Sequence, residues 1–152
     1  SVPHPALSFD KDGRPVVEKE GIFLSLSHAG RYAMAGISGS PIGADVEEHA
    51  PERLPIADHF FTEPERQLLA RSDRPLECFF RLWSRKECVI KRDGFADLRE
   101  ISALSEDHSG VFWEFPLSGY SCCAYTSRRV HPRFCRLRPG ELLAALENTT
   151  PK

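Results

Sequence analysis

This 152-residue chain predicts an α+β domain, on three observations. Short runs alternating with a period of two stand before and after the middle of the chain, a long run in the middle carries a helical stripe, and no internal repeat or low-complexity segment breaks that order. A hydrophobic fraction of 41% supports one substantial core, so a single domain over 1–152 is expected.

In chain order, Asp12-Gly13-Arg14-Pro15 reads as a turn. Ile22, Leu24 and Leu26 then alternate with Phe23, Ser25 and Ser27 as a short strand would, and Tyr32 to Ser38 can pair back as a hairpin after Ala29-Gly30. Gly39-Ser40-Pro41 ends it. Ile42, Ala44 and Val46 alternate with Gly43, Asp45 and Glu47, which predicts a further strand over Ile42 to Glu47. Thr62-Glu63-Pro64-Glu65 opens a helix to about Arg71, with Thr62 able to cap and Glu65 able to reach back. A second helix starts after Asp73 and Pro75, carries Leu76, Phe79, Phe80, Trp83 and Ile90 on one stripe, and ends near Gly94. Val111, Trp113 and Phe115 alternate, Tyr120 to Thr126 is a strand candidate after the Ser118-Gly119 turn, and a short helix from about Glu141 to Leu146 closes the chain. The order is strands, a helix pair, then strands, with frayed residues from Asn148 on.

Composition narrows the function classes. A formal net charge of −2 points to neither a nucleic-acid nor a membrane-surface binder, and no apolar run approaches a bilayer span. SVPHPALSFD has neither a basic region nor an apolar core of the export kind. Cys78, Cys88, Cys122, Cys123 and Cys135 form no C-x-x-C pair and no zinc-like spacing, so a reduced, cytoplasmic chain is expected. Basic residues crowd one helix at Arg81, Arg85, Lys86, Lys91 and Arg92, which fits a local anion site.

Strand alternation aims Asp45 and Glu47 at one side of the sheet, and Glu87 falls on the helical stripe where a hydrophobe is due. A carboxylate facing a core is costly without a cation or strong donors. Glu87 can lean on Lys91, four residues on, in a surface ion pair, or it can meet a buried partner. If the helix packs on the strand, Asp45, Glu47 and Glu87 can share one divalent ion, and hard oxygen ligands suit Mg2+ or Mn2+. Otherwise Asp45, Glu47 and Glu48 are an acidic strand end. Lys86, Lys91 and Arg85 can supply phosphate-binding charge or be solvated helix residues. His28, in a tight turn, can hold a phosphate or be structural, and Cys88 reads as small packing.

Four motifs stand in a recognisable order: GRP, SLSHAG, IGADVE and WSRKECVIK. The set resembles the 4′-phosphopantetheinyl transferases of the larger, pseudo-dimeric type, whose signatures are G-K-P, N-(L/I)-S-H-S, (V/I)-G-(V/I)-D-(I/V)-E and W-x-x-K-E-(S/A)-x-x-K. Departures are Ser25 for asparagine, Ala29 for serine, and Cys88 after Lys86-Glu87. The resemblance implies that fold, an antiparallel sheet packed with helices. It implies that 1–40 is the end of the first half and 41–147 a second half, most of the first half being absent.

For function, the resemblance implies transfer of the 4′-phosphopantetheine arm of coenzyme A to a serine of an apo acyl or peptidyl carrier protein. Asp45, Glu47 and Glu87 would hold the metal, Lys86 and Lys91 would contact the phosphates, and Arg14, Ser27 and His28 would hold the 3′-phosphate end of the nucleotide. Glu87 is the first choice of base and Glu48 the second, with Lys91 beside it in the catalytic set. The shortened first half leaves open a catalytically incomplete relative that binds without turnover, and self-association to complete the pocket; a metal-dependent phosphohydrolase is a third reading. Carrier proteins being acidic, the basic helix from Arg81 to Arg92 is the candidate docking surface.

Overall fold

The computed structural model describes residues 6–11, 13–17, 19–94, 98–101 and 110–147. Strands β1 (Leu7–Phe9), β2 (Pro15–Val17), β3 (Phe23–Ala29), β4 (Tyr32–Ser38) and β5 (Ile42–Glu48) come first. A 3-10 helix (Pro51–Ile56) leads into α1 (Ala57–Phe60), α2 (Glu63–Ala70) and the long α3 (Pro75–Asp93). After a 3-10 turn at Leu98–Glu100 come β6 (Val111–Leu117), β7 (Tyr120–Thr126) and α4 (Pro139–Glu147). Every strand pairing among the described residues is antiparallel: β1 with β2, β3 with β4, and β5-β7-β6 in a three-stranded sheet.

The sheet and α3 define the body of the molecule. Register sets Asp45 opposite Cys123 and Glu47 opposite Ser121, on the face that α3 covers. Contact is close because position 43 is glycine: a Cβ there would stand 1.8 Å from the Cys88 carbonyl oxygen. Proline in the first turn starts α3, and Gly94 at φ 84° ends it in the left-handed conformation that favours glycine. Beneath α3 the aromatic stripe packs as expected, with Phe79 against Phe61, Phe80 and Trp83 at centroid separations of 5.1, 4.9 and 5.7 Å. A second apolar cluster joins Cys88 and Val89 to Ile101, Cys123 and Tyr125.

The β3–β4 hairpin lies against β5 through small residues. A Cβ on Gly36 would come within 2.9 Å of the Ala44 methyl, and Ser25 Oγ accepts the Ala44 N–H at 2.9 Å. Its opposite face carries Leu26 and Ile37, 41% and 72% exposed, whereas Ser25 is buried.

Most elements follow the sequence pattern. Differences fall where elements are short: β1, β2, α1 and the 3-10 helices carry too few residues for any period to show. His28 lies inside β3 rather than in the tight turn expected, because the strand runs on to Ala29 and the chain reverses at Gly30, φ 53°. Of the turn expected over 12–15, Asp12 lies outside the described residues, as does the tail from Asn148. No helix among the described residues is long and apolar enough to cross a membrane.

Candidate active site between the three-stranded sheet and the long helix

Asp45 is the deepest acid of the cluster, 2% exposed. Its Oδ1 accepts hydrogen bonds from Lys91 Nζ at 2.7 Å and Ser27 Oγ at 2.9 Å. Oδ2 is buried and has no protein partner. Two residues along β5, Glu47 accepts the Arg53 guanidinium at 2.7 Å on Oε2 and the Trp83 indole N–H at 3.2 Å on Oε1. Glu87, half-buried on α3, lies one turn beyond Trp83 and one turn before Lys91. Lys91 forms its ion pair with Asp45 across the helix–strand seam rather than along the helix with Glu87.

These acids feel one another. Burial pushes the Glu87 carboxyl up to about 7; the Asp45 charge adds to the rise, Lys91 opposes it, and Glu47 adds a smaller push. Glu47 is raised for the same leading reasons, burial and then Asp45, against Arg53 and the Trp83 hydrogen bond. A buried acid cluster whose members lift one another lacks positive charge. That is the electrostatic state a cation relieves.

Among the described residues, no group of three or more His, Cys, Asp or Glu side chains is arranged as a ready-made metal site. Lys91 and Arg53 hold oxygens of Asp45 and Glu47 instead. The donor set still fits a hard divalent ion: all its donors are carboxylate oxygens, one of them is orphaned and buried, and two of the acids have raised pKa values.

Other expected site residues divide. Ser27 joins the cluster through Asp45 and also accepts the Val46 N–H at 3.3 Å. His28 is exposed, and strand alternation turns it to the face opposite Ser27. Arg14 is at the C-terminal end of α3, one turn beyond Lys91, its guanidinium 2.9 Å from where a Gly94 Cβ would stand. Lys86 requires a correction: expected at the phosphates, it is fully buried, with Nζ 3.0 Å from Glu65 Oε2 and donating to the Ile101 carbonyl at 3.1 Å. Its helical angle turns it into the α2–α3 seam and away from Asp45. Arg85 pairs with Glu114 at 2.7 Å. Cys88 is fully buried, donating to the Cys123 carbonyl, and burial raises its thiol well above the ordinary range, which fits packing rather than attack. Arg53 is the residue that sequence reasoning missed. It lies 4.7 Å over the Trp83 ring while it pairs with Glu47, and its only signal was position, just after the acidic strand.

A family model described as the 4′-phosphopantetheinyl transferase superfamily matches residues 41–145, which include β5 and α3. The chain is similar to the 4′-phosphopantetheinyl transferase psf-1 of Bacillus pumilus, 39% identical over 103 residues that cover 63% of this chain and 44% of that protein. It is similar to the 4′-phosphopantetheinyl transferase Sfp of Bacillus subtilis (strain 168), 36% identical over 128 residues, 80% of this chain and 57% of Sfp. With the 4′-phosphopantetheinyl transferase AcpT of Escherichia coli (strain K12), identity is 28% over 115 residues, 72% of this chain and 59% of the relative. The chain thus spans about half the length of the curated relatives it matches.

Proposed function

The chain belongs to the 4′-phosphopantetheinyl transferase superfamily, and on that premise we propose that it moves the 4′-phosphopantetheine arm of coenzyme A onto a serine of an apo acyl or peptidyl carrier protein. The match beginning at residue 41 supports a division into the end of a first half, 1–40, and a second half, 41–147. The single observation that carries the chemistry is the orphaned Asp45 Oδ2 beside two raised glutamates.

Asp45, Glu47 and Glu87 would hold Mg2+ or Mn2+, which supplies positive charge against the pyrophosphate oxygens when bound. The chain's own residues do the remainder. Lys91, partly exposed at the seam, offers its ammonium to the phosphates, and Ser27 fixes the Asp45 carboxylate that orients it. Arg14 and His28 would hold the 3′-phosphate end of the nucleotide. The carrier serine oxygen bonds to the β-phosphorus, the bond from that phosphorus to the leaving oxygen breaks, and 3′,5′-ADP departs. Glu87 is the first candidate to accept the hydroxyl proton. Glu48 is the weaker candidate, since it is exposed and accepts the Tyr120 hydroxyl at 2.7 Å on the other side of β5.

Acidic carriers would meet Arg81, the one exposed residue of the basic set expected from Arg81 to Arg92; Arg85, Lys86, Lys91 and Arg92 are each paired with an acid and less exposed. A cytoplasmic location accords with the free cysteines. The second reading is a relative that binds coenzyme A or a carrier protein without turnover; self-association to complete the pocket is a separate proposal.

Incubation with coenzyme A, Mg2+ and several apo carriers, followed by carrier mass, tests transfer. The arm should appear with the parent chain and not with Asp45→Asn. Coenzyme A binding without any added arm at high enzyme concentration would leave the second reading.

A further inference from the structure

A lysine ammonium with no exposed surface is costly unless its charge is met, and at Lys86 two neighbouring elements meet it. Glu65, 4% exposed on α2, faces it at 3.0 Å, and the Ile101 carbonyl after the Leu98–Glu100 turn accepts from it at 3.1 Å. The same Glu65 Oε2 accepts the Thr62 N–H at 2.9 Å, so one carboxylate oxygen both starts α2 and neutralises α3. On the sheet side, α3 rests on Gly43 with no room for a methyl group. The helix is therefore held by a charge pair on one flank and a glycine notch on the other. Glu87 lies in sequence between Lys86 and Cys88, the two residues that make these contacts.

We propose that Glu65 is a positioning residue: through Lys86 it sets the rotation of α3 that aims Glu87 and Lys91 at Asp45. This rests on the metal-site reading of those carboxylates, although the pin itself does not. An ion pair suits the task because it is directional. Apolar side chains of like volume would pack as tightly and permit α3 to turn or slide by a fraction of an ångström. Outer partners of this kind commonly govern how well a ligating carboxylate is presented.

The parent chain is compared with Glu65→Gln and with the double variant Glu65→Gln, Lys86→Met. The glutamine amide oxygen keeps an acceptor for the Thr62 N–H, so the double variant removes both charges and leaves the helix start intact. Thermal melting, amide exchange over Glu87 to Lys91, and Mn2+ titration are read on each. Glu65→Gln alone should melt lowest, because it strands the buried ammonium. The double variant should recover most of that melting temperature, yet bind Mn2+ roughly 10- to 100-fold more weakly and exchange its Glu87 to Lys91 amides faster than the parent. A double variant equal to the parent in both exchange and Mn2+ affinity would reduce the pair to ordinary stabilisation and overturn the proposal. If the parent itself binds no Mn2+, the metal reading fails, and amide exchange alone decides the pin.

Discussion

Lys86 and Lys91 stand on the same helix and face opposite seams of the molecule. On the α2 side, Lys86 is closed off completely and bonds to groups outside its own helix. On the β5 side, Lys91 keeps about a quarter of its side chain exposed, 27%, and its partner Asp45 retains one oxygen without a bond. The first pair is complete and the second is not. An open buried carboxylate oxygen beside two raised acids is a place where a ligand can supply the missing interaction.

That contrast can be broken most sharply by removing each charge in turn. Lys86→Met leaves Glu65 buried without its cation and should lower the unfolding free energy by about 3–5 kcal/mol, measured by denaturant melts. Lys91→Met should cost less, about 1–3 kcal/mol, since Asp45 keeps its Ser27 bond, while transfer to a carrier disappears. Equal losses of stability from both would erase the distinction between a structural and a functional seam.

Gly43→Ala examines the close approach of α3 to the sheet on which both seams depend. A methyl group 1.8 Å from the Cys88 carbonyl forces α3 off the sheet, and about 1–3 kcal/mol of overpacking is expected, with Mn2+ affinity falling alongside melting temperature. Unchanged affinity would show that the carboxylates do not depend on this close approach.

The pH dependence of the metal-free protein follows from Glu87. Its carboxyl rises from an ordinary value of 4.5 to about 7 on folding, chiefly through burial. A raised carboxyl contributes stability that is fully present below about 4.5 and is lost as pH climbs through about 7. In chelator, then, the parent should weaken over that window relative to Glu87→Gln, by on the order of 2 kcal/mol once partial exposure is discounted. Parallel pH profiles for the two proteins would remove the strain assigned to the cluster. Arg85→Ala marks the small end of the scale: its pair with Glu114 lies at the surface, and a change within about 1 kcal/mol and full activity are expected.

Much of this is legible in the sequence. Alternation through Ile42 to Glu47 located both strand acids, and the aromatic stripe of α3 exposed Glu87 as the misfit. Lys86 was misread because adjacency in sequence says nothing about which seam a helical residue faces; one step rotates a side chain by about 100°, enough to pass from β5 to α2. Glu65 was seen only as a cap, since its second role needs the tertiary approach of α2 to α3. Arg53 was missed for a similar reason: it sits in a 3-10 segment too short to show a period, and its stacking over Trp83 is a long-range contact. The three-residue strands β1 and β2 carry no pattern at all.

The most direct test is a Mn2+ titration of the chain, with free Mn2+ followed by electron paramagnetic resonance, for the parent and for Asp45→Asn. One Mn2+ should bind per parent chain and none to the variant, whose fold is checked by melting. Equal binding by the two proteins, or none by the parent, would contradict a carboxylate-held ion between β5 and α3.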